Sequence, residues 1–247
     1  MENRIEPTDF LLFEDGATLW EEREIATDES RARRLYAALA RRVSGRFRHF
    51  IAWGFLTCLP QRELALFTLI RRGMQEGKRA AMDLSDPVMA RVMLAYQKLA
   101  TEQDHLKGFV RFSELEGALV GEIEPKNRVL PILAPHFAAR FSGERLALYD
   151  RTHREAFFSV RGQWRIIPVE GFHMGPAGET EKAYRAMWRK YYKTIAIEGR
   201  TNPKCQSTHM PKRYRHVMTE FLNDEELESP KEGCPLRGDP PKAIEEG

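Results

Sequence analysis

Phe109-Val-Arg-Phe-Ser-Glu-Leu-Glu-Gly-Ala-Leu-Val-Gly-Glu-Ile-Glu124 is the stretch at which the chain changes character. Phe109 to Ser113 alternates apolar and polar side chains, as does Leu119 to Glu124, and Glu116-Gly117 between them suits a two-residue hairpin turn. A period of two puts Phe109 and Arg111 on one face and Val110 and Phe112 on the other. With one face buried, Val110 and Phe112 pack while Arg111 reaches outward. Upstream of this hairpin the apolar spacing is helical, and downstream short strand-like runs precede a second helical region. The expected fold is α+β: N-terminal helices, a central antiparallel sheet of about five strands with an inserted helix, and C-terminal helices.

Upstream, Leu35, Ala38, Leu39 and Val43 recur at helical spacing, and Pro60 should break the apolar run Phe50 to Leu59. A second helix carries Leu64, Phe67, Leu69 and Ile70. Ser85-Asp86-Pro87 is a cap-plus-proline start for a third, expected to run to about Asp104. Downstream, Pro131 to Phe141 reads as a helix, and Arg145 to Tyr149, Ala156 to Val160 and Trp164 to Val169 as strands, with a turn at Arg161-Gly162-Gln163. Glu179 to Ile195 is the strongest helical segment, with Ala183, Met187, Tyr191 and Ile195 a turn apart, and a last short helix starts near Pro211. The expected organisation is an N-terminal extension over 1–30, with a short edge strand at Phe10 to Phe13, then one α+β domain over 31–222. A disordered acidic tail follows over 223–247. No βαβ repetition and no internal repeat is evident.

Bulk composition excludes several classes. Hydrophobic residues make up 42% and charged residues 30% of 247, ordinary for a globular protein large enough to bury a core. No run approaches the ~18–20 apolar residues of a membrane span, and the N-terminus lacks a secretory core. Cys58, Cys205 and Cys234 are odd in number and far apart, so a reduced, cytoplasmic protein is expected. There is no GxGxxG and no Walker sequence, and no cofactor is expected. His105, His136 and Glu124 lack metal-site spacing, so no metal is expected either.

Charge distribution says more than the net +3. Between Tyr184 and His216 lie Arg185, Arg189, Lys190, Lys193, Arg200, Lys204, Lys212, Arg213 and Arg215, with Glu198 the only acid. Cations at that density suit a polyanion, because each one that displaces condensed counterions adds affinity. Gly199 should end the preceding helix, so that a loop from Gly199 to His209 projects Arg200, Asn202, Lys204 and Gln206. The plainer alternative has Arg200 paired with Glu198 or Glu220 as a loop lock. Tyr191, Tyr192 and Tyr214 have the rings to stack bases, whereas Trp188 and Tyr192, one helical turn apart, read better as core.

The titratable candidates each carry two readings. Arg111 either contacts phosphate or pairs with Glu114 or Glu122. His105, where helix gives way to strand, is a C-terminal dipole partner, or else an acid–base group or phosphate contact beside Lys107. His136 reads as a core or capping histidine, and His209 and His216 as surface residues or phosphate contacts.

Gln103-Asp-His-Leu-Lys-Gly-Phe-Val-Arg-Phe-Ser-Glu114 resembles the motif of a bacterial family described as DNA metabolism or DNA repair proteins. Further matches are Glu124-Pro125, Ala134-Pro135-His136-Phe137 with Arg140-Phe141, Trp188 with Tyr191-Tyr192 and Ile195, Arg200, Asn202, and Met210-Pro211 with Arg213-Tyr214 and Glu220. The resemblance covers residues 45 to 221, and Arg215 stands where many members carry Trp. It implies a setting beside a radical-SAM protein, and a domain elsewhere fused to uracil-DNA-glycosylase-like domains. It implies no mechanism.

The resulting expectation is a nucleic-acid-binding protein that works with a radical-SAM-type partner. Lys107, Arg111, Arg200, Asn202, Lys204, Gln206, Arg213 and Tyr214 would meet DNA. The alternatives are a DNA-acting enzyme using His105, Glu124 or Glu198 as acid–base groups, and an adaptor that binds the partner and never touches DNA.

Overall fold

The computed structural model describes Pro7, Phe10 and residues 25–79, 83–170, 172, 178–195, 202–218 and 221. Of the strand expected at Phe10 to Phe13, only Phe10 falls among them, and the acidic tail lies outside them.

Helix starts follow the side chains that satisfy their orphan N–H groups. Asp28 caps α1 (Glu29–Arg42) and Ser44 caps α2 (Gly45–Gly54). Beyond Pro60 comes α3 (Arg62–Glu76). Asp86 caps α4 (Pro87–Phe109), with Pro87 in the first turn as the sequence predicts. At 23 residues, α4 is about 35 Å long. Met89 and Val92, near its start, join Leu39, Val43, Phe47, Phe50, Ile51, Leu66 and Leu69 in a helical core. Leu99 and Leu106, further on, belong to a second core beneath the sheet.

That sheet has the order β1-β2-β3-β4-β5, formed by β1 (Ser113–Leu115), β2 (Ala118–Ile123), β3 (Arg145–Asp150), β4 (Glu155–Val160) and β5 (Gln163–Pro168). Both expected tight turns are present, with left-handed φ at Glu116 (50°) and Gly117 (72°), and at Arg161 (51°) and Gly162 (76°). Three of the four pairings are antiparallel, but β2 and β3 run parallel from Leu119↔Leu146 to Ile123↔Asp150. The inserted helix α5 (Leu130–Arg140) is the reason, since it forms the crossover that a parallel pair requires. Ile123, Leu146, Leu148 and Phe157 pack against Leu130, Leu133, Ala134 and Phe137 of α5.

The Phe109 to Phe112 stretch is not a strand. Helix α4 continues past Asp104 to Phe109, and pairing begins only at Ser113↔Val120. Phe112 instead folds across β2, its ring 5.3 Å from those of both Phe137 and Phe141. Gly121 makes this crossing possible, since a Cβ there would lie 2.9 Å from the Arg111 carbonyl oxygen and 3.0 Å from the Phe112 ring.

The C-terminal part comprises α6 (Glu179–Ile195), α7 (Pro203–His209) and a 3₁₀-helix (Lys212–Val217) entered through Pro211. The expected loop from Gly199 to His209 is therefore largely helix, with the Asn202 side chain accepting from Cys205 N. Among the described residues no helix is long and apolar enough to cross a membrane.

Candidate nucleic-acid interface

Where the end of α4 meets α5, three basic side chains share one corner. Lys107 sits in the last turn of α4, and His136 and Arg140 on α5. Burial holds the His136 imidazole below its ordinary pKa, and the Lys107 and Arg140 charges lower it further. The His136 Nε2 atom is buried with no hydrogen-bond partner among the described residues. Arg140 also lies over the Phe141 ring at 5.7 Å. Arg111 donates from Nη1 to the carbonyls of Gly108 (2.9 Å) and Val110 (3.2 Å), so it helps close the C-terminus of α4. Lys107 meets Asp104 at 3.4 Å, an exposed pair of small energy.

Below this corner Glu102, only 2% exposed, organises several segments. Its carboxylate accepts from Lys126 N (3.0 Å), Asn127 N (2.9 Å) and Asn127 Nδ2 (2.7 Å), and pairs with Arg213 at 3.3 Å. Asn127 Oδ1 accepts in turn from Cys58 N, tying the α2–α3 connection to the same point. Arg213 also donates to the Tyr214 hydroxyl and stacks over that ring at 4.6 Å. Tyr214 is 2% exposed, so its ring supports the site and is not presented to a base. Burial pushes its phenol pKa up. His105 is wedged between Phe109 (5.5 Å) and Tyr214 (5.6 Å), with Nδ1 buried and unpartnered among the described residues.

The other predicted residues are more scattered. Lys204 is exposed on α7, and Asn202 serves as that helix's cap. Gln206 belongs to α7, but its side chain, like Arg200 and Glu198 altogether, lies outside the described residues. Glu124 is exposed just after β2. Among the described residues no group of three or more His, Cys, Asp or Glu side chains is placed to hold a metal ion.

One constellation was not singled out by sequence. Asp150, fully buried at the end of β3, accepts from Thr152 N and His153 N and meets His153 Nδ1 at 2.7 Å. Burial raises the Asp150 pKa, and hydrogen bonds from His153 oppose that rise. Opposite it in register, Glu155 holds Arg128 through Nε and Nη2, the closer contact 2.7 Å. The signal was available: Asp-x-x-His at a strand end allows the carboxylate to orient the imidazole. A separate open groove of about 530 Å³ lies along the β4–β5 hairpin, lined by Phe158, Val160, Arg161, Gln163, Trp164 and Arg165.

Comparison with protein families gives one match, over residues 60–220, described as a domain of unknown function, DUF4130. The chain belongs to this family. The DUF4130 match takes in the α4–α5 corner, the Glu102 hub and the whole sheet, and it begins in the connection between α2 and α3. No curated protein matches the chain, and neither does any solved structure.

Proposed function

We propose that this DUF4130 protein binds the phosphate backbone of DNA through Lys107, His136 and Arg140, in DNA metabolism or repair and beside a radical-SAM-type partner. The observation that carries the binding reading is the pair of cations, Lys107 and Arg140, whose charges both act on His136 at the α4–α5 corner. A phosphate at that corner would neutralise Lys107 and Arg140 and so favour the protonated imidazole beside them. The resemblance to DNA-repair proteins supplies the setting and the partner. The test is the double variant Lys107→Ala/Arg140→Ala on duplex DNA. Two lost phosphate contacts reduce the slope of log K against log salt by about 2; an unchanged slope contradicts the assignment.

The second reading, an enzyme acting on DNA, rests on Asp150 and His153. A buried carboxylate on Nδ1 fixes the tautomer and leaves Nε2 to exchange a proton. Turnover of uracil-containing DNA that disappears in His153→Gln and survives in His105→Gln supports that reading. Equal turnover in wild type and His153→Gln removes it.

A further inference from the structure

Helix α6 buries a charged residue and leaves aromatic ones exposed. Arg185, 8% exposed, donates to Glu181 (2.9 Å) and to the Ser113 hydroxyl (2.6 Å) at the start of β1. The adjoining face carries Tyr184 (61% exposed), Met187 (60%), Trp188 (48%) and Tyr191 (53%). The spacing i, i+3, i+4, i+7 makes these one stripe, and the Trp188 and Tyr191 ring centroids are 5.5 Å apart. The sequence reading placed Trp188 in a core; the structure turns it to solvent. A contiguous apolar stripe of this kind marks a contact surface, because covering its exposed rings removes apolar area from water.

Charge identifies the occupant. The same helix carries five Lys and Arg against Glu179 and Glu181; Arg185 and Lys182 pair with those two acids, and Lys190 is exposed beside the stripe. Aromatic rings interleaved with cations suit a ligand with π-faces and phosphates together. Tyr184, Trp188 and Tyr191 rise along the axis in steps of about 6 and 4.5 Å, and Trp188 and Tyr191, already in contact with each other, offer their outer faces to bases. Bases inside a duplex are already stacked and hide their faces, so the ligand is an unpaired strand.

We propose that α6 is a base-stacking platform for single-stranded nucleic acid, with Tyr184, Trp188 and Tyr191 as its rings and Lys190 as a backbone contact. This deepens the nucleic-acid reading and rests on it. The test uses the full chain, labelled oligothymidine and a duplex of equal length across a salt series. Trp188→Ala/Tyr191→Ala should weaken oligothymidine binding by about 10- to 100-fold, leaving its salt slope and the duplex affinity unchanged. Trp188→Phe/Tyr191→Phe should retain most of the binding, and both variants should melt as wild type does because the rings are exposed. Undiminished oligothymidine binding by the Ala variant overturns the platform, as does an equal loss on both ligands. The phosphate reading is judged separately, by the slope change in Lys107→Ala/Arg140→Ala, so the two fail distinguishably.

Discussion

Glu102 carries more structural consequence than any other single acid in the described chain, and nothing in its helical context announces it. Four donors converge on a carboxylate removed from water, from the β2–α5 connection and from the 3₁₀-helix. Removing it takes the acceptor from the Lys126 and Asn127 backbone N–H groups and from Asn127 Nδ2, and leaves Arg213 without its carboxylate partner. Glu102→Ala should cost about 3 kcal/mol in urea denaturation, whereas an exposed control such as Glu114→Ala should fall within about 0.5 kcal/mol. A second prediction concerns protons. The fold favours neutral His136, so this residue contributes stability above its ordinary value of 6.5 that is lost as pH falls from 6.5 through the lowered native value. A bound phosphate raises the value again, so binding takes up a proton. DNA affinity should therefore increase by several-fold between pH 7.5 and pH 6, and His136→Gln should abolish that increase. At this scale sequence showed the residue types and not their partners. Arg213 and Tyr214 read as DNA contacts, and the structure commits them to Glu102 and to the aromatic wedge around His105. Such pairings arise from segments more than a hundred residues apart, which no local spacing records.

Among the elements, boundaries were legible wherever a local signal exists. Asp86-Pro87 starts α4, and Glu116-Gly117 and Arg161-Gly162 adopt the left-handed turn their composition requires. Asn202-Pro203 carries the same cap-plus-proline signal as Asp86-Pro87, so α7 was readable within what was taken for a loop. The Phe109 to Phe112 error has a different origin. Its alternation is genuine, but Phe112 packs across β2 onto Phe137 and Phe141, and tertiary packing overrides the period of two. Gly121 holds that crossing open. Gly121→Ala should destabilise by about 1–3 kcal/mol, because the backbone oxygen of Arg111 lies in the way and cannot swing aside as a side chain would. The same substitution at Gly108, which has nothing within 4 Å of its added Cβ, should be neutral or stabilising in the same thermal-unfolding assay. The outward aromatic face of α6 was invisible for a related reason. Periodicity reveals that a helix has an apolar side and leaves open which way that side points.

For the whole molecule, α4 is the shared beam of two cores, the helical one built with α1 to α3 and the one beneath the sheet. The DUF4130 match starts at residue 60 and omits α1 and α2, yet Leu39, Phe47, Phe50 and Ile51 of those helices, and Val43 between them, are buried in the helical core. Burying five such side chains contributes on the order of 10 kcal/mol, comparable to the net stability of a typical domain. A fragment starting at residue 60 should lose cooperative unfolding, and amide exchange should show Leu66 to Val92 unprotected. The α+β plan was legible in the order of helical and strand-like segments. The parallel β2–β3 pair was not, although the inserted helix between those strands already implied a crossover. The most direct test of the account is the salt dependence of duplex-DNA binding by the full-length chain. Contacts from Lys107, His136 and Arg140 predict affinity falling with a log–log slope of about −3. No binding at low salt, or binding insensitive to salt, would contradict a phosphate-binding surface at the α4–α5 corner.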